Sequence, residues 1–225
     1  MERTREPEIM NDATQVDAYA DADFSAPHDH FVELFRKRFP HLHPRGILDL
    51  GCGPGDISRR VARAFPACHV SGIDGAPAMI AAGRERNRSA GLADRIEFRT
   101  GYLPSDDLPE GPFDAIVSNS LLHHLDAPSA LWGTLAHGPY TGSAVFVMDL
   151  LRPRDSATVR DLVERYARDE PEILKRDFEN SLHAAYRVDE VTEQLADAGL
   201  SNLTTEVVSD RHFIVHGITD PLENT

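Results

Sequence analysis

Two short apolar runs each carry an acidic residue near the end, and the first leads into a glycine-rich turn. The run 47–50 contains Asp49 and is followed by glycines 51, 53 and 55. Because glycine has no Cβ, such a turn lets the chain reverse sharply and lets a ligand approach the backbone. The run 68–74 ends in Asp74, a residue that can accept hydrogen bonds from two ribose hydroxyls. The alternative role for Asp74 is the N-cap of the next helix.

The glycine spacing and the charge of Asp49 distinguish between ligand classes. A dinucleotide fold shows G-x-G-x-x-G, whereas here Pro54 intervenes and the third glycine comes one position early. The Asp49 carboxylate would repel a pyrophosphate and attract an amino group. Backbone N–H groups exposed at the helix start are expected to bind polar or anionic ligand groups. A turn with glycines for geometry alone remains the alternative.

Strands and helices alternate along most of the chain. Apolar runs predict strands at 47–50, 68–74, 95–100, 113–120, 143–150, 202–208 and 211–217. Helical spacing of apolar residues predicts helices at 28–39, 56–65, 77–89, 127–137 and 188–198. This alternation implies a parallel sheet with right-handed crossovers, and the two closing strands are expected to pair as an antiparallel hairpin.

Four segments in combination resemble the class I family of methyltransferases that depend on S-adenosylmethionine (SAM). They read ILDLGCGPG at 47–55, GID at 72–74, FDAIVSNSLLHHL at 113–125 and VFVMDLLRP at 145–153. The resemblance covers about residues 45–153. It implies a Rossmann-like α/β fold with a seven-stranded, mostly parallel sheet, an antiparallel last strand and helices on both faces. It also implies SAM as the cofactor.

The resemblance places the methionine end of SAM near Asp49 and the glycine turn, and the ribose on Asp74. Met79 would pack near the adenine. Tyr102 stands where family members often carry an acid for the adenine amino group, so a stacking or backbone contact is expected at Tyr102 and Leu103 instead. The complete set of expected cofactor-binding residues is Asp49, Gly51, Cys52, Gly53, Asp74, Gly75, Met79, Tyr102, Leu103 and Asn119.

The candidate catalytic residues are Asn119, His123 and Tyr19. The fourth strand delivers Asn119 to the carboxyl edge of the sheet, where ligands bind in such folds. A neutral histidine suits removal of a proton from the methyl acceptor, although one of His123 and His124 is expected to be structural. No metal is expected, because the histidine pair is too compact in sequence to form a site alone and paired-cysteine motifs are absent.

Residues 1–14 are predicted to be a disordered lead, and residues 15–225 a single methyltransferase domain. Two segments of this domain are not needed to complete the sheet. Residues 15–40 are predicted to form lid helices, and residues 155–185 are predicted to form a helical cap inserted after the fifth strand. Both segments carry aromatic and histidine side chains that could close over the cofactor. The alternatives are permanent packing or a homodimer contact.

Composition limits the partners. The net charge of −14 disfavours a nucleic-acid substrate. No apolar run reaches the length of about 18 residues that a membrane helix needs, and two cysteines indicate a reduced, cytoplasmic protein. We therefore predict methyl transfer to a small molecule. The alternatives are another SAM-using enzyme, such as a modified-SAM synthase with Arg152 on the added carboxylate, and a non-catalytic SAM-binding module. A nicotinamide oxidoreductase is disfavoured by the glycine spacing and by Asp49.

Overall fold

A computed structural model describes residues 1–6, 19, 22–104, 108–109, 111–138, 140 and 142–219. The strands are β1 Gly46–Leu50, β2 His69–Asp74, β3 Ile96–Thr100, β4 Ala115–Asn119, β5 Ala144–Leu150, β6 Thr204–Val207 and β7 His212–Ile218. The helices are α1 Ser25–Arg38, α2 Asp56–Ala64, α3 Pro77–Ser89, α4 Ser129–His137, α5 Ser156–Tyr166, α6 Glu172–Ala184 and α7 Val188–Asp197, with a 3-10 turn at Leu122–His124.

The seven strands form one sheet in the order β3-β2-β1-β4-β5-β7-β6. The first five pair in parallel, and β7 runs antiparallel to both β5 and β6. The predicted Rossmann-like sheet with its antiparallel last strand is confirmed. Because parallel strands all end at one edge, Asp49, Asp74 and Asn119 are brought together from distant parts of the chain.

The central strands are buried on both faces. Along β5, Val145 and Val147 pack into one half of the core, while Phe146 and Met148 pack into the other. This alternation follows from the two-residue period of a strand, and burial of both faces explains the nearly unbroken apolar sequence. Helices α1, α2 and α3 cover one face, and α4 and α7 cover the other.

Helix α1 belongs to the core. Its buried residues Phe31, Leu34 and Phe35 share one helical face, and the ring of Phe31 meets Phe146 edge-on at 4.9 Å between centroids. This burial supports permanent packing for α1. The lid prediction for 15–40 stays a prediction, and residues 15–18 and 20–21 lie outside the described residues.

The insertion after β5 consists of α5 and α6, which pack through an apolar cluster that includes Leu150, Val159, Leu162 and Leu182. Residues 1–6 lie against these helices. Thr4 donates its backbone N–H to the carbonyl of His183 at 3.0 Å. The predicted disordered lead is therefore wrong for residues 1–6, because tertiary contacts order a segment with no helix or strand pattern; residues 7–14 lie outside the described residues. Among the described residues, no helix is long and apolar enough to cross a membrane.

Candidate active site

Two adjoining cavities open at the carboxyl edge of the sheet. One of about 540 Å³ lies beyond the ends of β2, β3 and β4 and is lined by Asp74, Met79, Tyr102 and His124, among others. The other, of about 220 Å³, lies over the glycine turn beside Asp49. Tyr19, Gly51, Gly53 and Asn119 line both cavities. A depression of about 920 Å³ between α1 and α2, lined by residues such as Lys37, Pro40 and Arg63, includes none of these residues.

The backbone N–H groups of the glycine turn donate hydrogen bonds to other atoms of the protein. Those of Gly51 and Cys52 both donate to the carbonyl of Ile73, and that of Gly55 donates to Cys52. The N–H of Gly53 donates to Asp74 Oδ2 at 2.8 Å, and Pro54 has none to offer. These donors of the turn already have partners within the protein, while the expectation that N–H groups at the helix start bind polar or anionic ligand groups stays a prediction. A turn without free donors suits a cationic amino group better than a phosphate.

Positive φ angles explain the glycines at two positions in this turn. Gly51 has φ 72°, and a Cβ there would come within 2.8 Å of the Leu121 side chain. Gly53 has φ 51°, and a Cβ there would meet nothing within 4 Å. The backbone at Gly53 thus faces open space in the cavity, where a ligand can approach it closely. The side chain of Cys52 is buried in the core, so this residue borders the cavity mainly through its backbone.

Asp49 is a buried carboxylate with one side-chain partner. It is 1% exposed, and Ser58 donates its hydroxyl to Asp49 Oδ2 at 2.5 Å. Burial raises the pKa of Asp49 to about 7, although the Ser58 hydrogen bond lowers it. A cationic ligand group would restore the charged form, so the fit favours an amino group at this position.

Asp74 connects the turn to β2. Its Oδ2 accepts from Gly53 N, and its Oδ1 accepts from Ala76 N at 2.8 Å. Burial raises its pKa. Each carboxylate oxygen has two lone pairs, so both oxygens keep acceptor capacity toward the cavity. Asp74 does not act as the N-cap of α3, a position held by Ala76.

The far wall of the larger cavity is apolar and aromatic. Met79 is 4% exposed, and a Cβ at Gly75 would lie 2.9 Å from the ring of Tyr102. Glycine at position 75 therefore lets the Tyr102 ring lie close to the end of β2. Leu103 lines the same wall. This is a surface on which a flat heterocycle can stack.

Asn119 at the end of β4 lines both cavities and has an unpaired acceptor atom. Asn119 Oδ1 is buried without a hydrogen-bond partner among the described residues, while Nδ2 donates to Ser120 Oγ at 3.3 Å. Ser120 has φ 55°, in the left-handed region that disfavours residues other than glycine. A buried acceptor left open next to a strained residue indicates a ligand contact.

His123 does not reach the cavities. It is 2% exposed, its Nδ1 lies 2.5 Å from Asp149 Oδ1, and Asp149 Oδ2 accepts from Leu122 N at 2.8 Å. Burial lowers the pKa of His123, but Asp149 and Glu6 outweigh burial and raise it overall. The structure thus places His123 inside the core, where its pair with Asp149 fixes the 3-10 turn, and the predicted catalytic role of His123 stays a prediction.

His124, the neighbouring residue, is the histidine that lines the larger cavity. Its Nδ1 lies 3.3 Å from Glu6 Oε2. Burial and the nearby His123 lower the pKa of His124, so its imidazole is neutral. The donor atoms of Glu6, His123 and His124 lie within 4.8 Å of one another, a grouping that could hold a metal ion. The expectation of no metal stays a prediction.

Tyr19 lies between the two cavities. Its ring is 4.9 Å from that of Phe24 between centroids, and it packs against Ala76 and Met79. Burial raises the pKa of Tyr19 to about 12, with Asp74 adding to the rise. The phenol therefore stays protonated and can donate a hydrogen bond, which makes Tyr19 a positioning group and a poor base.

Glu6, Asp56 and Arg60 lie near the cavities and were not assigned from the sequence. Glu6 stands in a charged segment with no periodicity, so no local signal marked it. His28 Nδ1 lies 2.7 Å from Asp56 Oδ2, which also accepts from Arg60, and all three line the smaller cavity. Arg152, a candidate for an added carboxylate, is instead 5% exposed and pairs with Glu190.

Comparisons with known proteins agree with this geometry. A family model described as a methyltransferase domain matches residues 47–136. The chain is 35% identical over 125 residues to trans-aconitate 2-methyltransferase of Mycobacterium ulcerans, an alignment that covers 54% of this chain and 43% of the relative. The chain thus spans less than half the length of the curated relatives it matches.

Solved structures share the fold. A SAM-dependent methyltransferase from Aquifex aeolicus has a TM-score of 0.66 at 18% identity, covering 92% of this chain and 98% of that one. Human N-acetylserotonin methyltransferase in complex with SAM has a TM-score of 0.65 at 17% identity, covering 93% of this chain and 56% of that one. At this identity the likeness concerns the fold alone. Residues 47–136 are thus similar to a methyltransferase domain, and the chain shares the fold of SAM-dependent methyltransferases.

Proposed function

We propose that this protein transfers a methyl group from SAM to a small-molecule acceptor. The observation that carries the proposal is the pair of joined cavities at the carboxyl edge of the sheet, where Asp49, Asp74 and Asn119 meet. One end can hold a cofactor, and the other leaves room for a second molecule. The similarity of residues 47–136 to a methyltransferase domain supports the choice of cofactor.

The residues of this chain fit SAM in three parts. Asp49 and the turn at Gly51–Gly53 would hold the methionine end, because the buried carboxylate attracts an amino group and the turn has no free donors to attract a phosphate. Asp74 would hold the ribose hydroxyls with its remaining lone pairs. Gly75, Met79, Tyr102 and Leu103 would enclose the adenine. When bound, SAM supplies an electrophilic methyl group on a positively charged sulfur.

The protein's own contribution is mainly to position the reactants and exclude water. Asn119 Oδ1 can accept a hydrogen bond from the cofactor or the acceptor, since it has no partner among the described residues. Tyr19 can donate one where the cavities join. His124 takes the place assigned to His123 from the sequence. Alignment of two bound molecules removes much of the entropic barrier to their reaction.

The observed cavities favour this function over the alternatives. The modified-SAM alternative needs a cation for an added carboxylate, and Arg152 is buried against Glu190 instead of lining either cavity. The non-catalytic alternative predicts no room for an acceptor, whereas the larger cavity extends past the cofactor residues to His124 and Ala130. A cytoplasmic location and the exclusion of nucleic acid remain parts of the proposal that only the composition supports, and a homodimer contact remains an alternative role for the segments 15–40 and 155–185.

The test combines binding with turnover. Titration calorimetry should show that S-adenosylhomocysteine (SAH) binds the protein, and a small-metabolite library with labelled SAM should yield at least one methylated product. Binding without any product would support the non-catalytic alternative. Failure to bind either SAM or SAH would overturn the proposal.

A further inference from the structure

The larger cavity continues beyond the residues proposed for the cofactor. The sheet order places β2 and β3 on one side of β1, and β4 on the other. Asp74, Met79 and Tyr102 lie at the β2–β3 end, whereas the segment after β4 supplies the opposite wall. That wall combines apolar with ionisable side chains, namely Leu121, Leu125, Ala127, Ala130, His124, Asp126 and Glu6.

The charge of this opposite wall is one-sided. Glu6 and Asp126 on this wall are acidic, and among the described residues that line the larger cavity none is a lysine or arginine. Asp126 is exposed at the rim, and Glu6 lies deeper. An acceptor with carboxylates would meet like charge in a partly desolvated site, whereas a cation would be attracted.

Glu6 is carried by residues 1–6, here called the N-terminal strap. Arg3 ties the strap to two elements, because its Nε donates to Ala184 O at 2.6 Å and its Nη2 donates to His123 O at 3.1 Å. Its guanidinium also stacks 4.1 Å from the ring centre of Tyr186. The strap therefore joins the end of α6 to the 3-10 turn, and Glu6 follows directly at the cavity wall.

The carboxylate of Glu6 is held in a defined position. Ser181 donates its hydroxyl to Glu6 Oε2 at 3.0 Å, and the same oxygen lies 3.3 Å from His124 Nδ1. One ring nitrogen of the neutral His124 imidazole keeps a lone pair. Glu6 thus places a negative charge beside the neutral ring of His124.

We propose that this end of the cavity binds a small amine with an apolar body, recognised by Glu6 and His124. This inference rests on the proposed function and names its acceptor class. The ammonium form is attracted by Glu6 and loses one proton to bulk water before it reacts. The freed nitrogen lone pair then forms the N–CH₃ bond, and the electron pair of the broken S–C bond stays on the sulfur. An amine differs in charge from the acceptor named for the trans-aconitate relatives.

The test uses three probes of similar size but different charge: 2-phenylethylamine, 3-phenylpropionate and 2-phenylethanol. Binding is measured by calorimetry on protein saturated with SAH, in the presence of EDTA. We expect the amine to bind at least about tenfold more tightly than the carboxylate, because of the charge on Glu6. In Glu6→Gln the affinity for the amine should fall by about tenfold, while the affinity for the alcohol should change by less than about twofold.

Glu2→Gln is the matched control, since it removes the same charge from an exposed position of the strap. Glu2→Gln should retain the wild-type preference for the amine over the carboxylate. The wild type, Glu6→Gln and Glu2→Gln should all bind SAH equally well. The inference is overturned if the carboxylate binds as tightly as the amine, if Glu6→Gln leaves their ratio unchanged, or if the amine shows no binding at millimolar concentration. In a separate titration without EDTA, amine binding that appears only after Zn²⁺ is added would also overturn it. If the wild-type protein did not bind SAH at all, that result would instead refute the proposed function.

Discussion

Replacing Asp49 with asparagine should make the ligand-free protein more stable while weakening its hold on SAH. Asp49 is buried, and its pKa is raised from 3.8 to about 7. At about 1.36 kcal/mol per unit, keeping this group ionised above pH 7 costs up to about 4 kcal/mol of stability. Asparagine has no charge to desolvate, but it fits the Ser58 hydroxyl less well, so we expect a net gain of about 1–3 kcal/mol.

The pH dependence of this gain follows from the direction of the shift. A carboxyl whose folded pKa lies above its unfolded pKa binds more protons in the folded state, so its contribution to stability falls as pH rises between the two values. For Asp49 that window runs from 3.8 to about 7. The advantage of Asp49→Asn should therefore be small near pH 4, grow up to pH 7 and remain constant above it.

Urea denaturation of the ligand-free protein at several pH values measures this effect directly. The control is Asp94→Asn, which changes an exposed carboxylate and should show no such pH-dependent gain. Calorimetry at pH 8 should show SAH binding to Asp49→Asn weakened by about 1.5–3 kcal/mol, the value of a hydrogen bond to a charged group. Equal stability of variant and wild type at pH 8 would refute the desolvation argument, and unchanged SAH affinity would refute the role in binding the amino group.

Three other predictions test the rest of the site. Asp74→Ala should weaken SAH binding by about 1–3 kcal/mol in calorimetry, and unchanged affinity would rule out the ribose contact. Asp149→Asn should destabilise the protein by about 3–5 kcal/mol in urea denaturation, because it leaves His123 buried without its charged partner; a loss below about 1 kcal/mol would show that the pair is not structural. In hydrogen exchange, α1 should be protected with and without SAH, as a core helix must be. If α1 became protected only with SAH, it would be part of a lid.

The sequence by itself determined the local features of the site. The glycine turn, the acids at the ends of β1 and β2 and the strand–helix alternation are readable because each depends on residues close together in the chain. The antiparallel closing hairpin was predictable for the same reason. The sequence alone also predicts a cationic ligand group near Asp49, because the acidic type of the side chain is given by the sequence.

Only the tertiary structure determined which groups these side chains and backbone N–H groups contact. His123 and His124 are adjacent and chemically identical, yet one is paired with Asp149 from β5 and the other with Glu6 from the N-terminal strap. The N–H groups of the glycine turn are satisfied largely by Ile73 and Asp74, at the end of the neighbouring strand. These partners are remote in sequence, and no local pattern encodes contacts that form only when the strands align and the strap packs against α6.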